Sequence, residues 1–203
     1  MPRPILIATK NMGKVREYRD LLAHLPLQIT SLADVGIDSD VEETGQTFAE
    51  NAILKARTYA QLSGLLTWAD DSGLAVDALG GWPGVHSARH AGPNATDADR
   101  INILLQRLEG VPPEQRGASF HCVVAIATPE GKVWTTEGMC PGVITSTPSG
   151  SGGFGYDPVF FVPELNKTFA QLSPQEKNAI SHRGIAARKA MELLERLLQD
   201  GLV

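Results

Sequence analysis

The chain has 203 residues, 42% hydrophobic and 20% charged, with a formal net charge of −5. That composition is ordinary for a globular protein, and the length suffices for one large domain or two lobes with a sizeable core. No basic block interrupts the acidic balance, which argues against a non-specific nucleic-acid binder; a small anionic substrate would need local Lys or Arg and a metal.

The N-terminus, Met1-Pro2-Arg3-Pro4, enters a short apolar run, Ile5–Ala8. That run is too short for a signal peptide or a bilayer span, so no membrane role is expected and the cytoplasm is the expected compartment. Ile5–Ala8 reads as a buried strand. It leads through Thr9–Lys14 into a helix whose apolar Val15, Tyr18, Leu21, Leu22 and Leu25 recur near a 3.6-residue period. Gln28–Leu32 is a candidate second strand. Thr47–Ser63 reads as a helix with Thr47 as N-cap, Glu50 completing a capping box and Gly64 past its end. Leu65–Ala69 and Leu74–Leu79 read as two strands with Asp71-Ser72-Gly73 at a bend. Ala98–Leu108 reads as a helix, capped by Thr96 or Asp97, with Ile101, Leu104, Leu105 and Leu108 as its stripe.

Ser119–Ala127 and Lys132–Glu137 form an expected antiparallel hairpin, and Val159–Val162 a short strand. Ser173-Pro174-Gln175-Glu176 is a capping box with proline at the first helical position. It opens a helix that breaks near Ser181 and restarts through Ile185–Leu198. Mixed βα units and a hairpin point to α/β with a mixed sheet. Cys122 and Cys140 make no C-x-x-C zinc pattern. Their offset across the hairpin predicts opposite faces, hence free buried thiols.

Four groups of residues carry potential chemistry. In Thr9-Lys10-Asn11-Met12-Gly13-Lys14 a strand ends and a helix begins, which brings free N–H groups and the positive helix end to one place. A phosphate cradle and a plain turn with an exposed lysine both fit, and no Walker loop is present. In Trp68-Ala69-Asp70-Asp71-Ser72-Gly73, adjacent carboxylates after an apolar run require cationic compensation. Strand alternation turns them to opposite faces, where hard oxygens suit magnesium; a solvated Asx turn is the alternative. Glu42-Glu43 is a further acidic pair, read either as metal donors or as a solvated loop.

Gly150-Ser151-Gly152-Gly153-Phe154-Gly155 satisfies G-x-G-x-x-G but is followed by Tyr156-Asp157-Pro158 and a strand, not a helix, so it is no dinucleotide fingerprint. Phe154 is either a stacking platform for a planar base or a core side chain. Lys177 and Ser181-His182-Arg183 offer planar donors near a helix break, and Lys55 and Arg89 are further cations that read singly as surface charge.

Taken in order, Thr9-x-Asn11-x-Gly13-Lys14, Glu42-Glu43-Thr44-Gly45, Phe48-x-Glu50-Asn51-Ala52-x-x-Lys55-Ala56, Ala69–Leu74, Pro83-Gly84-Val85-x-Ser87-Ala88-Arg89, Gly153–Pro158 and Ser181-His182-Arg183 closely resemble the inosine/xanthosine triphosphate pyrophosphatase family, in its bacterial branch. The resemblance covers nearly the whole chain. It implies an α/β fold with a long mixed twisted sheet and flanking helices, two lobes around a central nucleotide cleft, and a homodimer. It implies hydrolysis of ITP, dITP and XTP to the monophosphate and pyrophosphate, cleansing the nucleotide pool. By the same resemblance Thr9, Lys10, Asn11, Met12, Gly13 and Lys14 hold the triphosphate, and Glu42 and Asp71 bind Mg2+. Asp71 is then the general base and Ser72 contacts substrate. Phe154, Gly155, Tyr156, Asp157, Lys177, His182 and Arg183 take the base and sugar, with Glu43, Lys55, Asp70 and Arg89 as auxiliary candidates. Lys10 stands where many members have glycine, and His86 and His90 where tyrosines are common. Three other readings are a nucleotide sensor without turnover, a pyrophosphatase for modified pyrimidine nucleotides, and an aspartyl-phosphate phosphatase. The D-x-D spacing of the last is absent.

Overall fold

The computed structural model describes residues 3–203; Met1 and Pro2, where the N-terminal reading began, lie outside them. The strands are β1 (Arg3–Ile7), β2 (Leu27–Ser31), β3 (Leu66–Val76), β4 (Gly117–Ala127), β5 (Val133–Ile144), β6 (Phe160–Val162) and β7 (Lys167–Thr168). The α-helices are α1 (Met12–Leu22), α2 (Phe48–Ser63), α3 (Asp97–Arg107), α4 (Pro174–Ile180) and α5 (His182–Gln199). The strands form one sheet in the order β2-β1-β3-β4-β5-β6-β7. β1 runs parallel to β2 and β3, while β6 is antiparallel to β5 and β7. The sheet is therefore mixed, and the α/β reading of the sequence holds.

Local chemistry explains the helices. In α2 the Thr47 hydroxyl accepts from Glu50 N–H at 3.1 Å, the Glu50 carboxylate accepts from Thr47 N–H at 3.1 Å, and Gly64 stops the helix at φ 67°. Thr96 and Asp99 cap α3 in the same reciprocal way, as do Ser173 and Glu176 for α4. Ser181, with extended φ and ψ, breaks the chain between α4 and α5 where the sequence placed a break.

Two sequence expectations are corrected. Leu65–Ala69 and Leu74–Leu79 are not two strands bent at Asp71-Ser72-Gly73. β3 runs unbroken from Leu66 to Val76, and Asp77–Leu79 is a single 3-10 turn. The aspartates stay in the strand because cations compensate them, which local propensity cannot reveal. The second arm of the hairpin continues past Glu137 to Ile144, and its end pairs with β6 through Val143 and Phe161. The extension includes Pro141 and Gly142, two residues that strand propensity disfavours.

The chain divides into two compact units. Unit 1 holds residues up to Asp71, Cys122–Gly138 and Arg183–Val203. Here strand alternation sends Ile5, Ile7 and Trp68 to one face, against Tyr18, Leu22, Ala187 and Leu194 of α1 and α5. Leu6, Ala8 and Ala69 go to the other, against Ala52, Ala56 and Ala60 of α2. Unit 2 holds Ser72–His121 and Met139–His182. Its core gathers Leu74, Val76, the α3 stripe Ile101, Leu104 and Leu108, and the aromatics Phe120, Phe160 and Phe169. Both cysteines are free and buried, Cys122 in the core of unit 1 and Cys140 in that of unit 2. No helix among the described residues is long and apolar enough to cross a membrane.

Candidate active site

The geometry of unit 1 follows from where β1 stops. β1 pairs with β3 as far as Ile7 and Trp68, and Ala8 N–H then bonds the Trp68 carbonyl at 2.8 Å. Asp70 and Asp71 therefore lie just past the last pair, where the chain leaves β1 for the Thr9–Lys14 loop. Alternation turns Asp70 toward the Tyr18 face and Asp71 toward α2.

On the first face, Lys14 Nζ donates to Asp70 Oδ2 at 2.8 Å and Arg183 Nε stands 3.7 Å from the same oxygen. Arg183 Nη1 also pairs with Glu17 Oε2 at 2.6 Å. Cys122 Sγ approaches Asp70 Oδ2 at 3.8 Å from beneath. Burial opposes ionisation of Asp70, but the charges of Lys14, Arg183 and Lys55 outweigh it and hold the carboxyl at about 2. Burial pushes the Cys122 thiol up to about 12, so it is neutral and inert.

On the second face, Asn51 Nδ2 donates to Asp71 Oδ2 at 3.2 Å and Lys55 Nζ to Asp71 Oδ1 at 3.2 Å. Lys55 also reaches Glu43 Oε1 at 2.5 Å. Asn51 and Lys55 are i and i+4 on α2, hence on one face. Asn51 Oδ1 in turn accepts from Gly45 N–H at 2.8 Å, and a Cβ on Gly45 would stand 2.6 Å from that oxygen, so only glycine lets the 42–45 loop lie this close. Burial raises the pKa of Asp71, Lys55 pulls it back, and the like charge of Glu43 lifts it again. Two neighbouring carboxylates are thus driven in opposite directions, Asp70 toward a permanent anion and Asp71 toward a proton acceptor.

The Thr9–Lys14 loop is organised by its own side chains. Thr9 Oγ1 accepts from Asn11 N–H at 3.2 Å, and Asn11 Oδ1 caps α1 by accepting from Gly13 and Lys14 N–H at 2.9 and 3.2 Å. Met12 is exposed. Lys10 reaches the Asp38 carbonyl and the Asp40 carboxylate, at 2.6 and 2.8 Å, which ties it to the 38–40 segment. Of the acidic pair, Glu43 joins the cluster while Glu42 is exposed.

In unit 2 the glycine-rich loop closes around Asp157. Asp157 Oδ2 accepts from Phe154 N–H at 2.9 Å and from Lys177 Nζ at 2.6 Å. Gly153 has φ 71°, and a Cβ there would stand 1.9 Å from that oxygen, which excludes any other residue. Gly155 N–H donates to Asp97 Oδ2 at 2.7 Å. Phe154 is half-buried, with Lys177 Nζ 4.8 Å from its ring centroid. Tyr156 is buried, and its hydroxyl donates to the Ser87 carbonyl at 2.9 Å. The His182 ring stacks on Phe120 with centroids 4.6 Å apart. Ser72 is half-buried, directly after Asp71 on β3. Arg89 is exposed and bonds its own turn at the Val85 carbonyl.

Lys14, Lys55, Asp70, Asp71, Glu43 and Arg183 thus come together in unit 1, and Phe154, Gly155, Tyr156, Asp157 and Lys177 in unit 2. Sequence reasoning gave no site role to Asn51, Glu17 or Asp97, and Asp97, offered there as a possible cap of α3, is its first residue, with Thr96 as the cap. Asn51 alone left a signal, a polar amide one turn before Lys55 on the apolar stripe of α2. Among the described residues no three His, Cys, Asp or Glu side chains form a ready-made metal cluster, since Lys55 bridges Glu43 and Asp71. The donors on the α2 face, Asp71 and Glu43 drawn together at Lys55 with Glu42 exposed beside them, are nonetheless hard oxygens, the donor type that a hard divalent ion takes.

Fold and site together define an α/β protein with a compensated carboxylate pair suited to an anionic substrate. The pattern of the Ham1 family matches residues 5–193. The chain is 53% identical over 196 residues to the dITP/XTP pyrophosphatase of Geobacillus kaustophilus, covering 97% of this chain and 96% of that one. It is 54% identical over 192 residues to the dITP/XTP pyrophosphatase of Pectobacterium atrosepticum, covering 94% and 97%. Its fold matches the structure of a HAM1 protein from Coxiella burnetii with a TM-score of 0.87 at 45% identity, over 96% and 99% of the two chains. The chain belongs to the Ham1 family.

Proposed function

We propose that this chain is a dITP/XTP pyrophosphatase that also takes ITP, releasing the nucleoside monophosphate and pyrophosphate. The single observation that carries the chemistry is the placement of Asp70 and Asp71 at successive positions of β3, Asp70 held by Lys14 and Asp71 by Asn51 and Lys55. A water oxygen bonds to the α-phosphorus, the bridging bond from the α-phosphorus to pyrophosphate breaks, and Asp71 takes the water's proton. Such a transfer depends on positioning and charge neutralisation rather than on a covalent intermediate. Lys14 and the N-terminus of α1 neutralise the departing pyrophosphate. Asn51 and Lys55 fix the Asp71 carboxylate, while Asp70 orders Lys14. Arg183 is assigned here to compensation of Asp70.

Magnesium, when bound, neutralises charge on the phosphates. Asp71 and one carboxylate of the Glu42–Glu43 pair would hold it. Phe154 to Asp157, Lys177 and His182 are assigned to the base and sugar, with the Phe154 ring as stacking platform. A 6-keto oxygen accepts hydrogen bonds where adenine's amino group would face donor with donor, and an unpaired buried group costs about 1–3 kcal/mol. The proposal extends to a homodimer in the cytosol, where two free thiols stay reduced.

The test is pyrophosphate release from ITP, dITP, XTP, ATP, GTP and dUTP, with and without magnesium. Rapid release from the first three, dependent on the ion, is expected. Equal rates on ATP and ITP would defeat the specificity, preference for dUTP would favour a pyrimidine enzyme, and orthophosphate alone would defeat the reaction type.

A further inference from the structure

The loop assigned to the base is held by more than its own Asp157. The Tyr156 hydroxyl, buried within it, makes two hydrogen bonds, to the Ser87 carbonyl at 2.9 Å and with His90 Nε2 at 2.6 Å. A hydroxyl has one proton. The carbonyl can only accept, so that proton goes to Ser87, and Tyr156 Oη must accept from His90 Nε2–H. The opposite tautomer would leave the Ser87 carbonyl without its donor and bury an Nδ1–H that has no partner, since His90 Nδ1 is buried and unpartnered.

The imidazole is fixed from its other side by the Trp82 ring, edge-on at 4.6 Å, and Arg107 lies over Trp82 at 4.1 Å. Burial first, and the Arg100 and Arg107 charges of α3 second, hold its pKa below the usual histidine value, so the ring is neutral. Next to this relay, Asp97 takes Gly155 N–H while Arg100 ties Asp97 to the Ala88 carbonyl at 3.1 Å. Two residues of the loop, Gly155 and Tyr156, are thereby anchored to the 87–90 turn and the start of α3.

We propose that His90 is a positioning residue for base recognition, its Nε2–H setting the Gly153–Asp157 loop through the Tyr156 hydroxyl. This rests on reading that loop as the base site. His90 touches no substrate and acts only through Tyr156. Its loss therefore loosens the hold on the base without altering the chemistry at the α-phosphorus.

The experiment compares His90→Phe, Tyr156→Phe, the double variant, His90→Gln and Phe154→Ala in steady-state hydrolysis of dITP, with inorganic pyrophosphate as competitive inhibitor and Tm measured for each. His90→Phe keeps a ring against Trp82 but has no N–H, whereas His90→Gln returns an N–H near the Nε2 position. His90→Phe and Tyr156→Phe are each expected to raise KM for dITP about tenfold, with kcat within about twofold and pyrophosphate inhibition unchanged. The double variant is expected to be no worse than either single one, since both remove the same bond. His90→Gln is expected to restore KM to within about threefold. The inference is overturned if His90→Phe leaves KM unchanged while Phe154→Ala raises it, if pyrophosphate inhibition weakens in parallel with KM, or if His90→Gln fails to rescue. Phe154→Ala with unchanged KM overturns the base-site reading itself, and this inference with it.

Discussion

The carboxylate cluster of unit 1 and the glycine-rich loop of unit 2 solve the same problem, buried charge, by different means. In unit 1 the charges sit on regular elements. Asp70 and Asp71 are strand residues, Asn51 and Lys55 lie one turn apart on α2, and Lys14 opens α1. Each carboxylate meets a cation from a separate element, at 2.8 Å for Lys14 with Asp70 and 3.2 Å for Lys55 with Asp71. In unit 2 one carboxylate, Asp157, organises a turn by taking both Phe154 N–H and Lys177 Nζ, and hydrogen bonds from Gly155 to Asp97 and from Tyr156 to Ser87 tie the turn to its surroundings. Rigid elements suit a reacting centre, where a small displacement is costly. A loop organised by one ion pair and anchored at Gly155 and Tyr156 suits recognition of a planar base.

That contrast can be broken most severely at Asp71. Asp71→Asn removes the proton acceptor but keeps the size of the side chain. Turnover of dITP should fall about 10²- to 10⁴-fold, while dITP binding by calorimetry should stay within about tenfold, or roughly 1.4 kcal/mol. Unchanged turnover would remove Asp71 from the chemistry. The counterpart in unit 2 is Lys177→Met, which leaves Asp157 buried without its cation. It should cost about 3–5 kcal/mol in denaturant unfolding. Pairing it with Asp157→Asn should recover part of that loss, and full additivity would show that the ion pair does not organise the loop.

Phe154→Ala should raise KM for dITP by about tenfold, within the roughly 1–3 kcal/mol of a base–aromatic stack, with kcat nearly constant. A fall in kcat at constant KM would place Phe154 in the chemistry instead. The smallest effect sharpens the role of α2. Thr47→Ala removes one half of a capping box and should lower stability by roughly 1 kcal/mol. Because Asn51 and Lys55 sit in the next two turns, kcat should fall with it, whereas Ser173→Ala at the start of α4 should cost similar stability and leave kcat alone.

The sequence revealed most where structure is local. Capping boxes located α2 and α4, and apolar stripes near a 3.6-residue period located α1 and α3, because those signals are written within a few residues. It misled where distant groups decide. Asp70-Asp71-Ser72-Gly73 has the composition of a turn, yet it continues β3 because Lys14, Lys55, Asn51 and Arg183 compensate it from elsewhere in the chain. The end of β5 likewise runs through Pro141-Gly142, against local strand propensity. In the site, residue types pointed to Asp71 and left Lys14 and Lys177 open, and the family resemblance supplied the roles expected of those two. No spacing, however, distinguished Glu43 from Glu42 or paired Arg183 with Glu17, residues far apart in sequence. The glycine-rich loop was rightly refused as a dinucleotide motif, since Gly153 is there to admit the Asp157 carboxylate.

The central claim is that water attacks the α-phosphorus with Asp71 taking its proton. Hydrolysis of dITP in water enriched in heavy oxygen, followed by mass analysis of both products, tests it most directly. One heavy oxygen in the nucleoside monophosphate and none in pyrophosphate is the expected result, with the same partition at a far lower rate in Asp71→Asn. Heavy oxygen in pyrophosphate would mean attack on the β-phosphorus and would contradict the account.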